Sequence, residues 1–339
     1  MSASAPPIGV IGAGAWGTAL AQMLASDGSA VRLWAYEPEV VAAINAERRN
    51  PLYLPSARLA PAIHATGDLA DLAPCPIVLV VTPAQVMGRV LAGLAAAPRD
   101  LVLCSKGIEA ESGRLMNEVA RAACPASAIA VLSGPTFAHE VAAGLPTAVT
   151  LACSGGRAQW ERLAPAIARA TFRPYYSDDV IGAEIGGAVK NVLAIACGVV
   201  EGLGLGQNAR AALIARGYAE MLRFGAALGA ETETLAGLCG LGDLVLTCSS
   251  PASRNFALGK ALGEGQSAAA LMADRRTVAE GAHTAPVLAR LAAARGIAMP
   301  ITEAVGAILA GAQPREIVAE LLARPLRAEL ESDAGDLGA

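Results

Sequence analysis

The segment GVIGAGAWGTALAQMLASDG, residues 9–28, constrains this chain more tightly than any other. An apolar run of β character (8–14) passes directly into a segment with helical spacing (16–27). Across the junction, Gly12, Gly14 and Gly17 stand in G-x-G-x-x-G spacing. Each glycine has a separate purpose. Gly12 permits a tight turn. Gly14 lets backbone amides approach a pyrophosphate at the helix N-terminus, and Gly17 lets helix and strand pack closely. An acidic residue, Glu37, follows Gly17 by 20 positions, at the end of the second apolar run. Strand, turn, helix and delayed carboxylate together predict a dinucleotide-binding βαβ unit. Glu37 keeps two readings: a ligand for the ribose 2′-hydroxyl, which favours NAD, or a surface carboxylate at a turn, since Pro38 follows it. Trp16, inside the turn, either packs or touches the cofactor.

The rest of the first half extends this pattern. Apolar β-type runs recur at 30–36, 62–66, 77–83, 100–107, 128–135, 147–153 and 171–177, with helical spacing at 84–95, 112–123 and 156–168. Strands that are apolar throughout are expected when both sheet faces are covered, and strand–helix alternation implies a doubly wound, mainly parallel sheet of Rossmann type. After about residue 178 strand-like runs nearly vanish. Alanine- and leucine-rich segments take over at 180–200, 209–229, 232–239, 255–263, 283–295, 302–311 and 314–323. The expected organisation is therefore α/β for residues 1–178, an all-helical domain over 179–330, and a loose tail over 331–339, with the boundary near YYSDD (175–179). A length of 339 residues accommodates two such domains.

Bulk properties exclude several classes. A formal net charge of -4 and 4% aromatic residues give no electrostatic or stacking reason to expect nucleic acid. No uninterrupted apolar run reaches the ~18 residues of a membrane span; residues 188–200 come closest, and Lys190 and Asn191 interrupt them. The N-terminus lacks a basic n-region, and residues 1–6 read as a frayed tail. Seven cysteines, an odd number without C-x-x-C spacing, read as reduced buried thiols of a cytoplasmic protein. The three histidines, His64, His139 and His283, are far apart, and nothing suggests a metal site.

Chemically loaded residues gather at predicted strand ends in the first half: TP (82–83), SKG (105–107) and SGPTFAHE (133–140). Ligands of open α/β sheets bind outside the carboxyl ends of strands, which groups these with the glycine turn. Lys106 either binds ligand charge or is a solvated loop lysine. In the second half, IGGAVKNVLAIACG (185–198) places Lys190 on a small, apolar helical face with no carboxylate three or four residues away. Either its stem snorkels to water, or desolvation lowers its pKa and poises it as a general acid/base. Carbonyl reduction needs such a group to protonate the developing oxyanion. The glycines around it are expected to leave room for substrate and nicotinamide. Asp243, in GLGDLVLTC, is either a helix N-cap or a functional carboxylate, and it shares a face with Thr247 if that segment is helical. Ser253, Arg254 and Asn255 suit a phosphate, or simply start a helix.

Taken together, GAGAWGTALA, CSKGIEAESG, SGPTFAHEVAAGLPTAV, GGAVKNVLAIACG, GLGDLVLTC, SRN and VAEGAHTA resemble the bacterial-type NAD(P)-dependent glycerol-3-phosphate dehydrogenases, in the family's order, over residues 8 to about 311. The resemblance implies reversible reduction of dihydroxyacetone phosphate to sn-glycerol 3-phosphate for phospholipid synthesis. It implies Lys190 as proton donor/acceptor and Lys106 in contact with both substrate and cofactor. Gly134, Thr136, Asp243, Ser253, Arg254 and Asn255 would line the substrate site, with Arg254 and Asn255 at the phosphate. Gly12, Gly14, Ala15, Trp16, Gly17, Tyr36, Lys106, Ala138, Arg254, Val278 and Glu280 would contact NAD(H) or NADP(H). His139 departs from a lysine common in the family. Ala15–Trp16 and Tyr36–Glu37 vary within it, which leaves the choice of NAD or NADP open. A 3-hydroxyacid dehydrogenase and a non-catalytic nucleotide-sensing protein are the alternatives. The latter has no use for Lys190, Asp243 and Arg254 together. The expected partner is a small phosphorylated triose, and alanine-rich helices leave a homodimer open.

Overall fold

The computed structural model describes residues 5–273 and 279–325. The chain packs into two compact units. One holds residues up to 106 together with 114–184. The other holds 107–113 together with 185 onward.

The first unit is built on an eight-stranded sheet: β1 (Ile8–Ile11), β2 (Val31–Trp34), β3 (Ile63–Thr66), β4 (Ile77–Val80), β5 (Asp100–Leu103), β6 (Ala128–Ser133), β7 (Thr147–Cys153) and β8 (Phe172–Ser177). Their spatial order is β3-β2-β1-β4-β5-β6-β7-β8. The first six in that order are mutually parallel, β7 runs antiparallel to β6, and β8 is parallel to β7. Val78, Leu79, Val80, Leu101, Val102 and Leu103 are fully buried, as both faces of a doubly wound sheet require. The helices are α1 (Ala15–Leu24), α2 (Pro38–Glu47), α3 (Met87–Ala92), α4 (Met116–Ala123), α5 (Ala138–Ala142) and α6 (Gly156–Ile167). Leu20 and Leu24 of α1 join Val10, Leu33, Leu79, Leu132 and Phe172 in one core. Strand order reverses between β1 and β4, both of which leave the sheet at the glycine turn: the Gly12 N–H donates to Trp34 O (3.0 Å) and the Val81 N–H to Ile11 O (2.8 Å).

The remaining helices are α7 (Val180–Gly202), α8 (Gly206–Ala227), α9 (Thr232–Ala236), α10 (Asp243–Cys248), α11 (Arg254–Gly263), α12 (Ala268–Ala273), α13 (Glu280–Ala293), α14 (Pro300–Leu309) and α15 (Pro314–Leu322). One π-helical turn, Leu238–Gly242, leads into α10. The body of α7 is the hub of the second unit. It meets α11 backbone to backbone: a Cβ at Gly198 would lie 2.1 Å from Phe256 O, at Gly202 2.2 Å from Lys260 O, at Gly259 2.0 Å from Ile195 O, and at Gly263 2.5 Å from Val199 O. Two G-x-x-x-G pairs therefore face each other, and any side chain would push the helices apart. By length and composition α7 is apolar enough to cross a membrane, although no uninterrupted run predicted this; 94% of that window is buried, as in a core helix. Glu220 of α8 receives the Ile301 N–H (2.6 Å), the Thr302 N–H (3.2 Å) and the Thr302 hydroxyl (3.0 Å), supplying acceptors to the start of α14. The short 107–113 segment belongs to this unit: Arg290 Nη2 donates to Ala110 O (3.0 Å), and a Cβ on Gly113 would meet Leu291. The proposed tail over 331–339 lies outside the described residues.

Candidate active site

The glycine turn of the first unit has the form a pyrophosphate requires. Gly12 adopts φ +110, where a side chain would be strained and would crowd Val81. A Cβ on Gly17 would lie 1.8 Å from Gly12 O, so only glycine permits this helix–strand approach. A Cβ on Gly14 meets nothing within 4 Å, so that glycine keeps space open rather than serving packing. The backbone N–H groups at the start of α1, from Ala15 onward, face the same turn. Trp16 is half-buried, and its Nε1–H finds no acceptor among the described residues. Ala138 opens α5, which packs against α1. Tyr36, just past β2, is 81% exposed. The residues present thus fit a dinucleotide.

The carboxyl ends of β4, β5 and β6 carry the other polar groups. Lys106 Nζ donates to Gly134 O at 3.4 Å, joining the ends of β5 and β6. The Thr136 hydroxyl donates to the same carbonyl at 3.3 Å. Gly134 holds φ +155 against Val149, which no side chain would tolerate. Thr82, two residues past β4, and Ser133, the last residue of β6, carry buried hydroxyls that have no partner among the described residues. Buried polar groups are ordinarily paired, so unpaired hydroxyls at strand ends are what a ligand site leaves behind. Both lie in stretches that the sequence marks as chemically loaded, TP (82–83) and SGPTFAHE (133–140), although neither hydroxyl has a role assigned there.

The second unit supplies a charged cluster in an apolar interior. Lys190 is 6% exposed and Asp243 fully buried. Lys190 Nζ donates to Asp243 Oδ1 at 2.6 Å and to Thr247 Oγ1 at 2.8 Å. The Thr247 hydroxyl lies 3.3 Å from the same carboxylate oxygen. The segment around Asp243 is helical, and Asp243 and Thr247 share a face as spacing required. Asp243 does not cap α10: it is the first helical residue, and its carboxylate turns to the lysine instead. The glycines beside Lys190 have a different purpose from the one expected. A Cβ at Gly186 would lie 2.3 Å from Cys239 O, so Gly186 makes room for the π turn before α10, as Gly198 does for α11. The expected open space at these two positions is occupied by protein backbone.

Two buried asparagines extend the cluster. Asn255 Nδ2 donates to Asn191 Oδ1 (3.0 Å), and Asn255 Oδ1 receives the Gly281 N–H (2.9 Å). Asn191 was noted beside Lys190 but given no role, because nothing local reveals a partner 64 residues on. Ser253 is the N-cap of α11, receiving the Phe256 N–H at 3.3 Å. Arg254, the first helical residue, is exposed. Glu280 begins α13, while Val278 lies outside the described residues.

Comparison with known proteins follows the same lines. Residues 7–158 match the family described as NAD-dependent glycerol-3-phosphate dehydrogenase N-terminus, and residues 179–320 the corresponding C-terminus. A protein of Erythrobacter litoralis, named as an NAD(P)+ glycerol-3-phosphate dehydrogenase, is 76% identical over 96% of this chain and 99% of its own length. One from Novosphingobium aromaticivorans with the same name is 72% identical over 95% of this chain and 98% of its own. The crystal structure of a glycerol-3-phosphate dehydrogenase from Coxiella burnetii superposes with a TM-score of 0.89 at 41% identity, covering 94% of this chain and 99% of that one.

Proposed function

This chain belongs to the NAD-dependent glycerol-3-phosphate dehydrogenase family, and from that premise we propose the following reading of its chemistry. The protein is an oxidoreductase that reversibly reduces dihydroxyacetone phosphate to sn-glycerol 3-phosphate with NADH or NADPH. The reduced nicotinamide supplies the hydride. The observation that carries the assignment of roles is the buried ammonium of Lys190, held by Asp243 Oδ1 and Thr247 Oγ1.

Hydride addition to a ketone leaves an alkoxide that needs a proton. Lys190 gives that proton in reduction and takes it back in oxidation. Asp243 fixes the direction of the ammonium and balances its charge in an apolar interior. Thr247 receives a second N–H of the ammonium and holds it beside the carboxylate. Arg254 and the first N–H groups of α11 receive the phosphate, with Asn255 beside them; an exposed arginine at a helix start offers both charge and fork geometry. Ser253 shapes that start as its cap and adds its hydroxyl to the pocket. In the first unit Lys106, Gly134 and Thr136 are assigned to substrate, with Lys106 also at the cofactor. Gly12, Gly14, Ala15, Trp16, Gly17, Tyr36 and Ala138 are assigned to the dinucleotide, and in the second unit Arg254, Val278 and Glu280. The seven free thiols, six of them buried, suit a reducing cytoplasmic setting.

The test is direct. Purified protein is mixed with dihydroxyacetone phosphate and NADH or NADPH, and loss of reduced-nicotinamide absorbance is followed. Turnover with at least one cofactor is expected, and Lys190→Ala should depress kcat far more than KM. Absence of oxidation with both cofactors refutes the activity. Wild-type turnover in Lys190→Ala removes the lysine from the mechanism.

A further inference from the structure

Ligands of an open α/β sheet sit outside the carboxyl ends of its strands, where the glycine turn lies. This sheet also has a cleft at its opposite end. A hollow of about 1000 Å³ opens at the amino ends of β1, β2, β3 and β4, and every residue lining it belongs to the first unit. Small-molecule sites commonly enclose about 300–1000 Å³. Ile8 begins β1 on this side, whereas Gly12 follows its other end, so the cleft is separate from the dinucleotide turn.

The apolar wall is stiff. Pro6 and Pro7 lead into β1, Pro76 and Ile77 into β4, and Pro165 lies near the end of α6. A proline has a fixed φ and no N–H, so these positions flex little and present no unpaired donor. A wall of this kind needs little ordering when a ligand enters. Polar recognition is left to side chains. Arg32 on β2 and His64 on β3 both line the cleft, and they are register partners on adjacent parallel strands. They therefore leave one face of the sheet side by side, from backbones about 4.8 Å apart.

The charges at this end favour an anion. Asp27 Oδ2 pairs with Arg169 Nε (3.2 Å), and Asp100, at the start of β5, pairs with Arg162 Nη2 (3.1 Å). Asp71 Oδ2 receives only the Thr66 hydroxyl. Three guanidinium groups rest on carbonyls instead of carboxylates. Arg32 Nη1 donates to Asp71 O (2.6 Å), Arg48 Nη1 to Ile63 O (2.9 Å), and Arg99 to Leu72 O (3.4 Å) and Ala95 O (3.0 Å). None of the three has an ion-pair partner among the described residues. A carbonyl satisfies their donors but leaves their charge whole. Asp71 is left to balance Arg32, Arg48 and Arg99, and positive charge is in excess. Its reach is visible at the Cys75 thiol, which burial pushes up and Arg32 and Arg99 both pull down. A cleft with unmatched cations and low-dielectric walls focuses its field on an entering anion.

We infer that this cleft is a second ligand site, for a small amphipathic anion. Arg32 and His64 hold its phosphate or carboxylate head, and its apolar body lies along the proline wall. The guanidinium fork suits either head, and an imidazole N–H adds a further donor.

The experiment is binding to the full-length protein, with octyl phosphate and octanoate as probes below their micelle concentrations. NAD+ and dihydroxyacetone phosphate are present in excess. Both are oxidised, so no turnover occurs, and they keep the probes from the sites proposed above. Calorimetry should show one further site. Inorganic phosphate and octanol, each lacking one half of the probe, should bind at least about tenfold more weakly. Arg32→Gln should weaken the better probe about tenfold or more, as loss of a charge-assisted contact does. Ala30→Trp fills the cleft from an exposed lining position and should weaken the probe as much with Arg32 intact. The thermal midpoint of each variant without probe checks folding. The tighter of octyl phosphate and octanoate identifies the head group. Binding of neither probe overturns the site. So does octanol binding as tightly as octyl phosphate, or probe binding that neither Arg32→Gln nor Ala30→Trp weakens.

Discussion

Replacing Asp243 by asparagine isolates what the carboxylate does for Lys190. The shape is conserved and an amide oxygen still accepts from the ammonium, so only the charge is lost. At 2.6 Å the Coulomb attraction is about 6 kcal/mol with an effective dielectric near 20. Desolvating the two ions costs several kcal/mol each, so the pair as a whole is near neutral for stability. The single variant is not near neutral, because it leaves an ammonium buried without its counter-charge. Breaking such a pair costs about 3–5 kcal/mol, and the retained amide contact returns about 1 kcal/mol. A net loss of roughly 2–4 kcal/mol is expected. Lys190→Met should show a loss of similar size, and the double variant Lys190→Met with Asp243→Asn should recover much of it.

The assay exploits an asymmetry in the chain. Trp16, Trp34 and Trp160 all lie in the first unit, so their fluorescence reports that unit, whereas far-ultraviolet ellipticity is dominated by helices. Urea unfolding is followed by both signals. The ellipticity midpoint should fall in each single variant and recover in the double. If Asp243→Asn stays within about 0.5 kcal/mol of the wild type, or the double variant is no better than the singles, the ammonium is solvated and the charge-compensation argument fails.

Three further perturbations test other parts of the fold. Glu184, on the second turn of α7, receives the Asn117 N–H at 2.7 Å, and burial pushes its carboxyl up to about 8. The native state therefore keeps a proton that the unfolded chain releases above its ordinary range near 4.5. Stability from this group is full at acid pH and is lost as pH rises through about 8. Glu220, raised by burial to about 7, adds to the same slope. Glu184→Gln keeps the acceptor and should flatten the fall in thermal midpoint between pH 5 and pH 9 by an amount equivalent to a few kcal/mol; an unchanged slope counts against a neutral Glu184. Gly198→Ala places a methyl 2.1 Å from Phe256 O and should cost about 1–3 kcal/mol or more in urea unfolding, despite better helix propensity; a stabilised variant would contradict the close α7–α11 contact. Gly14→Ala should leave the thermal midpoint nearly unchanged while weakening NAD+ binding at least about tenfold, because its Cβ enters open space in the protein and crowds the pyrophosphate. Gly17→Ala should instead lower the midpoint itself, and identical behaviour of the two variants would undo the separate roles given to them.

Much of the fold was legible because its signals are local. Each of the eight strands announced itself as a short apolar run, and the glycine turn carried its own spacing. The reversal of β7 against β6 was not legible. Strand direction depends on which edge the chain returns to, and the sequence TAVTLAC reads alike in either sense. The 107–113 segment was likewise assigned by chain order, although Arg290 and Leu291, about 180 residues away, decide where it packs. In the site, Lys190 and Asp243 were both recognisable as charges in apolar surroundings, but 53 residues separate them, and only tertiary structure joins them. Glu37 was visible from its distance to Gly17.

The glycines of α7 explain why a lysine can be held at such a position at all. A helix interior rich in glycine loses about 1 kcal/mol per residue relative to alanine, so their presence demands a gain elsewhere. That gain is distance. Gly186 lets the backbone of Cys239 and Gly240 approach α7. The π turn there delivers Asp243 one residue later to the Lys190 face. Gly198 and Gly202, against Gly259 and Gly263, bring α11 to the same helix twelve and sixteen residues beyond Gly186, and Asn255 at its start thereby meets Asn191. Widening either contact by the width of a methyl group would lengthen hydrogen bonds of 2.6 and 3.0 Å beyond their useful range. The small residues do not make space for a ligand at these points. They remove space between backbones, and that fixes the donors and acceptors on which the proton transfer depends.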